Sequence, residues 1–148
     1  MRVVLKKRVL IYSWVVIASF VIIVAPFSQT VRAQDPKSTK DSVYTAAQAK
    51  RGEAIYLEQC SPCHRADLSG AGGPSLAGMR FMGKWETMPL WELFDKIIGT
   101  MPRNSAGNLT RQQVVDLISF IHQSNKLSAG QTELASEDAV LSSIILEQ

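Results

Sequence analysis

The 148-residue chain has only two cysteines and two histidines, and that scarcity excludes several common uses of the pair. A disulfide framework needs more cysteine than this, and a bridge between Cys60 and Cys63 would close almost no loop. A structural zinc site normally matches one Cys pair with a second Cys or His pair, whereas His122 stands alone. A thioredoxin-like thiol pair follows a buried strand in a βαβ pattern. Here the flanks read as helix before and Gly-rich loop after, and no period-2 strand run occurs anywhere. Internal repeats and phosphate-binding glycine motifs are also missing.

Positive charge is scarce once the first segment is set aside. The formal net charge is +3, but residues 1–33 hold Arg2, Lys6, Lys7, Arg8 and Arg32 and no acid. That leaves 11 Lys and Arg against 13 Asp and Glu, a net of about −2. A nucleic-acid-binding protein needs a basic face, so that class has no support.

The same first segment holds the one long apolar run, the 17 uncharged residues Val9 to Ala25. A basic start, an apolar run, Pro26 and then Val31-Arg32-Ala33 make residues 1–33 a signal peptide for export, with cleavage before Gln34. Retention as an uncleaved anchor is the alternative, and only then does the protein meet a membrane. Either way the remainder lies outside the cytoplasm, in the periplasm or on the periplasmic face of the inner membrane.

Residues 34–42 are polar and aperiodic, a linker; residues 43–127 form the domain; residues 128–148 are a tail. Thr45 with Gln48 predicts a capping box opening a helix over Ala46–Leu57, interrupted by Gly52. Leu68 to Gly78 is too rich in glycine for helix or strand. Leu90, Leu93, Phe94 and Ile97 recur at helical spacing, with Gly99 as the stop. Thr110 with Gln113 opens a last helix whose stripe is Val114, Leu117, Ile118 and Ile121, ending near Asn125. Within the tail, Ala139 to Leu146 predicts a short helix packed on the domain or on a partner.

What is present is Cys60-Ser61-Pro62-Cys63-His64. C-x-x-C-H is the attachment pattern of c-type haem: the two thiols each add to a vinyl group, and His64 is placed to bind the iron. A sixth ligand decides between electron transfer and reactivity. Met79 and Met82 follow His64 closely, with little chain to reach the other haem face. Met101, before Pro102 and between two helices, is displayed on a loop and is the candidate. His122 on a helix edge reads as an ordinary half-buried side chain. An open distal position, giving a haem enzyme or gas sensor, is the alternative.

With these residues placed, the chain from Val43 to Leu127 resembles the small class I c-type cytochromes. The resemblance implies an all-α fold, three to five helices around one covalently attached haem. It rests on Gly52 and Tyr56 facing Leu117 and Phe120 where first and last helices cross, on Gly73-Pro74-x-Leu76, and on Met101-Pro102. It implies that the Pro74 carbonyl accepts the N–H of His64, that Leu76 packs on the haem, and that Arg80, Trp85 and Arg103 are candidate donors to the haem propionates. More narrowly, Tyr44 to Glu53, Asp67-Leu68-Ser69-Gly70, Trp85 and Ala129 to Leu134 resemble cytochromes associated with bacterial pyrroloquinoline quinone alcohol dehydrogenases. Pro89 and Trp91 depart from that pattern. The implied function is a periplasmic one-electron carrier, not an enzyme, between redox partner proteins: a quinoprotein dehydrogenase as donor, a terminal oxidase or another cytochrome as acceptor. A haem-bearing subunit of a dehydrogenase complex is the alternative.

Overall fold

Thr45 opens the first helix, α1 (Ala46–Gln59), with its hydroxyl accepting from Gln48 N. The capping box expected there is only half formed. The Gln48 side chain is buried and reaches the tail instead, donating to Leu134 O at 2.9 Å and accepting from Leu134 N at 2.7 Å. A four-residue helix, α2 (Ser61–His64), follows, then α3 (Met79–Trp85), α4 (Leu90–Thr100), α5 (Arg111–Ser124) and α6 (Asp138–Ser142). The computed structural model describes residues 37–148, and the signal or anchor read over residues 1–33 lies outside them. Among the described residues no helix is long and apolar enough to cross a membrane.

The all-α class holds, with six helices among the described residues against the three to five expected; the surplus is the short α2 and α6. Helix α5 starts on a complete capping box, Thr110 and Gln113 bonding reciprocally, and ends at Asn125. Helix α4 runs through Gly99 to Thr100 rather than stopping at the glycine. Its stop is set by the next two residues, because the proline at 102 disfavours helical geometry at Met101, which is extended. Helix α3 had no signal in the sequence: Gly78 at its start has φ +71 and offers no capping side chain.

Helices α1 and α5 cross at Gly52. A Cβ there would lie 1.9 Å from Asp116 O, so only glycine lets the two backbones meet. Next to the crossing, Tyr56 and Phe120 pack with ring centroids 5.1 Å apart. Arg51 spans the crossing, bonding both oxygens of the buried Asp116 and reaching Glu133 of the tail.

Two further expectations differ from the structure. The stretch read as a linker is, from residue 37, packed against the far end of the chain: strand β1 (Lys37–Ser38) pairs in parallel with β2 (Ile144–Ile145). Thr39 is buried, its hydroxyl donating to Glu147 O. Composition misses this because the contact is two residues long and joins segments over 100 residues apart. His122, expected half-buried, is fully buried beside Tyr44, and neither ring nitrogen has a hydrogen-bond partner.

Candidate functional site

Helix α1 delivers Cys60, whose N–H closes the helix on Tyr56 O. Pro62, in the first turn of α2, costs no bond there, and Cys63 N and His64 N both return to Cys60 O at 3.1 and 2.9 Å. The tight turn places both thiols, which form no disulfide with each other, and the His64 ring within one short segment. Burial, and then the neighbouring Cys63, push the Cys60 thiol up to about 11. The Tyr56 phenol is raised too, chiefly by burial, and donates to Arg65 O at 2.7 Å.

The glycine-rich loop folds back onto this segment. Gly70 N bonds His64 O, while Ala71 N and Gly73 N both bond Cys63 O. His64 is 8% exposed, and its Nδ1 lies 2.7 Å from Pro74 O. A carbonyl only accepts, so in the neutral ring Nδ1 carries the proton and Nε2 keeps its lone pair. Gly73 makes the arrangement possible: a Cβ on it would fall 2.5 Å from His64 Cε1.

Sequence reasoning missed the residue that secures the loop's far end. Asn125, 3% exposed at the end of α5, donates to Leu76 O and Ile121 O and accepts from Gly78 N. Its only signal was a polar residue at a helix end.

Cys60, Cys63, His64, Pro74, Leu76, Arg80, Trp85, Met101 and Arg103 all line one cavity of about 840 Å³. That volume is within the range of about 300–1,000 Å³ that accommodates cofactor-sized ligands. Its walls are mainly apolar, with Phe81, Leu93, Ile97, Leu117 and Ile121 among them, and Met101 enters from the end of α4. His122 does not line it. Among the described residues no group of three or more His, Cys, Asp or Glu is placed to hold a bare metal ion. Two free thiols, an imidazole with a free lone pair, a thioether and a large apolar volume fit a covalently bound metalloporphyrin instead.

Sequence comparison agrees with that chemistry. The family described as "Cytochrome C oxidase, cbb3-type, subunit III" matches residues 47–121, just over half of the chain. Cytochrome c-551 of Bacillus subtilis (strain 168) is 34% identical over 59 residues, which cover 40% of this chain and 51% of that relative. The chain therefore matches about half the length of that relative. No solved structure matches. The protein is a c-type cytochrome with covalently bound haem c, and it belongs to the family whose description is cytochrome c oxidase, cbb3-type, subunit III.

Proposed function

We propose that this protein is an exported, periplasmic single-haem electron carrier in which Cys60 and Cys63 hold the haem and His64 and Met101 are the iron's axial ligands. The observation that carries the reading is the convergence of all four side chains on one apolar cavity. The bound haem iron supplies a one-electron couple, with a thioether ligand raising its potential. Everything else is done by the chain. The Pro74 carbonyl fixes the His64 ring and its tautomer, which makes Nε2 a more basic ligand. Apolar walls keep water away, and we assign Arg80 and Trp85, which line the cavity, to the propionates.

The cavity lining suggests the partner's chemistry. Arg80, Lys84, Lys96 and Arg103 are all exposed there, against a single acid, Glu58. None of these four cations takes part in an ion pair among the described residues. A redox partner with an acidic docking face suits that lining, and such contacts are small and transient. A quinoprotein alcohol dehydrogenase is our donor, on the sequence resemblance, and a terminal oxidase our acceptor, in keeping with the family's description. The oxidase description also favours a second reading, a haem-bearing subunit held permanently to an oxidase. Co-purification from detergent-solubilised membranes at high salt separates a subunit from a carrier.

The test is potentiometric titration of the purified holoprotein together with mass analysis of Cys60→Ser and Cys63→Ser. We expect a reversible one-electron couple and weakened or lost covalent haem in each variant. Catalytic turnover of peroxide, or carbon monoxide binding that displaces no ligand, would contradict the carrier reading.

A further inference from the structure

Helix α4 ends one residue before Met101, so whatever fixes the helix fixes where that side chain is presented. The loop itself contributes little. Among the described residues the hydrogen bonds of residues 101–108 are all local: Met101 N to Ile97 O, Ser105 N to Pro102 O and Asn108 N to Ser105 O.

The start of α4 is held in an uncommon way. Helices α1 and α5 begin on threonine caps, whereas Pro89 caps α4 with no side-chain bond. Residues 145 and 146 instead hold the segment just before the helix. Leu146 N donates to Met88 O at 2.9 Å, Thr87 N donates to Leu146 O at 2.8 Å, and Ile145 forms a bridge with Pro89. Thr87 has φ +69, unfavourable for a β-branched residue, and such backbone persists only where its surroundings hold it. The carbonyl of Leu146 is what bonds its N–H.

The tail is itself secured. Leu141, Ile144 and Leu146 are each at most 2% exposed. Thr39 Oγ1 donates to Glu147 O at 2.6 Å and accepts from Glu147 N at 2.8 Å, beside the β1–β2 pairing. Arg111 of α5 reaches Ser136 O and Asp138.

We infer that residues 144–147, centred on Leu146, are a brace that positions Met101 through α4 and thereby sets how firmly its sulfur is held at the iron. This rests on the reading of Met101 as a ligand. Helix α4 spans roughly 16 Å from its 11 residues and ends at Thr100, which links the position of Met88 to that of Met101. Leu146 is a positioning residue: it does not line the cavity.

The test uses full-length ferric holoprotein, with imidazole as a competing ligand and the sulfur-to-iron charge-transfer band as readout. Leu146→Ala removes buried packing, and Thr39→Val removes the tie to Glu147 without touching α4. We expect imidazole to displace the sulfur about tenfold more readily in Leu146→Ala, with a smaller change of the same sign in Thr39→Val. Covalent haem and helical circular dichroism stay at parent levels. Unchanged imidazole affinity in both variants, with a lowered urea midpoint, would mean that the tail is structural only and overturn the brace. Should Leu146→Ala fail to accumulate, unchanged affinity in Thr39→Val overturns it alone. A parent protein that lacks the band defeats the ligation reading itself, before any variant is made.

Discussion

His64 and His122 show how one residue type takes opposite roles by its surroundings. The first is fixed by a carbonyl at the cavity, and the second is sealed in the core without a partner. Burial pushes the His122 imidazole down to about 4 from its ordinary 6.5. Between those values the unfolded chain binds the extra proton and the folded one does not, so stability is full above pH 6.5 and falls as pH drops toward 4. The loss from this one group is on the order of 3 kcal/mol. We expect urea midpoints of the holoprotein to fall between pH 7 and pH 4.5, and His122→Leu to flatten that fall; an equal fall in parent and variant would exclude His122 as its source. Gly73→Ala is the companion experiment. Its Cβ would collide with the His64 ring, so we expect a stability loss of about 2 kcal/mol and a changed ferric spectrum. A spectrum identical to the parent's would show that the ring tolerates the methyl group.

At the level of elements, Gly52 is the sharpest case. Alanine there meets backbone rather than a movable side chain, and α1 and α5 must separate to admit it. We expect Gly52→Ala to cost about 3 kcal/mol in denaturant unfolding, and a cost under about 1 kcal/mol would contradict the crossing. The glycine, the Thr110–Gln113 capping box and the apolar stripes of α4 and α5 were legible because each is a local pattern tied to helix geometry. The contiguous C-x-x-C-H likewise marked two thiols and an imidazole from sequence alone. Other features carry no local pattern. Helix α3 has no capping side chain, Asn125 acts through three bonds to loop and helix, and Leu146 reaches Met88 only because the chain returns there after 58 residues. Gln48 shows the converse: a local capping pattern was present, and a buried backbone partner in the tail claimed the amide.

At the scale of the whole molecule, one cluster of buried apolar residues is built against a cavity of about 840 Å³. Leu93, Phe81 and Leu117 line that space, and a porphyrin held there would add apolar contacts that a small domain needs. We expect the Cys60→Ser, Cys63→Ser apoprotein to have weak helical dichroism and no cooperative unfolding; an equally helical, cooperative apo form would contradict this. Charge is also organised on this scale. The cations at the cavity sit on a molecule whose acids outnumber its bases beyond residue 33, so electron transfer with an acidic partner should slow as salt rises. The most direct measurement is the near-infrared and visible spectrum of the ferric holoprotein beside Met101→Ala. We expect a sulfur-to-iron charge-transfer band in the parent, and in the variant its loss together with new binding of carbon monoxide to the reduced form, the haem remaining covalently attached. A parent that lacks the band and binds carbon monoxide without displacing a ligand would contradict the carrier.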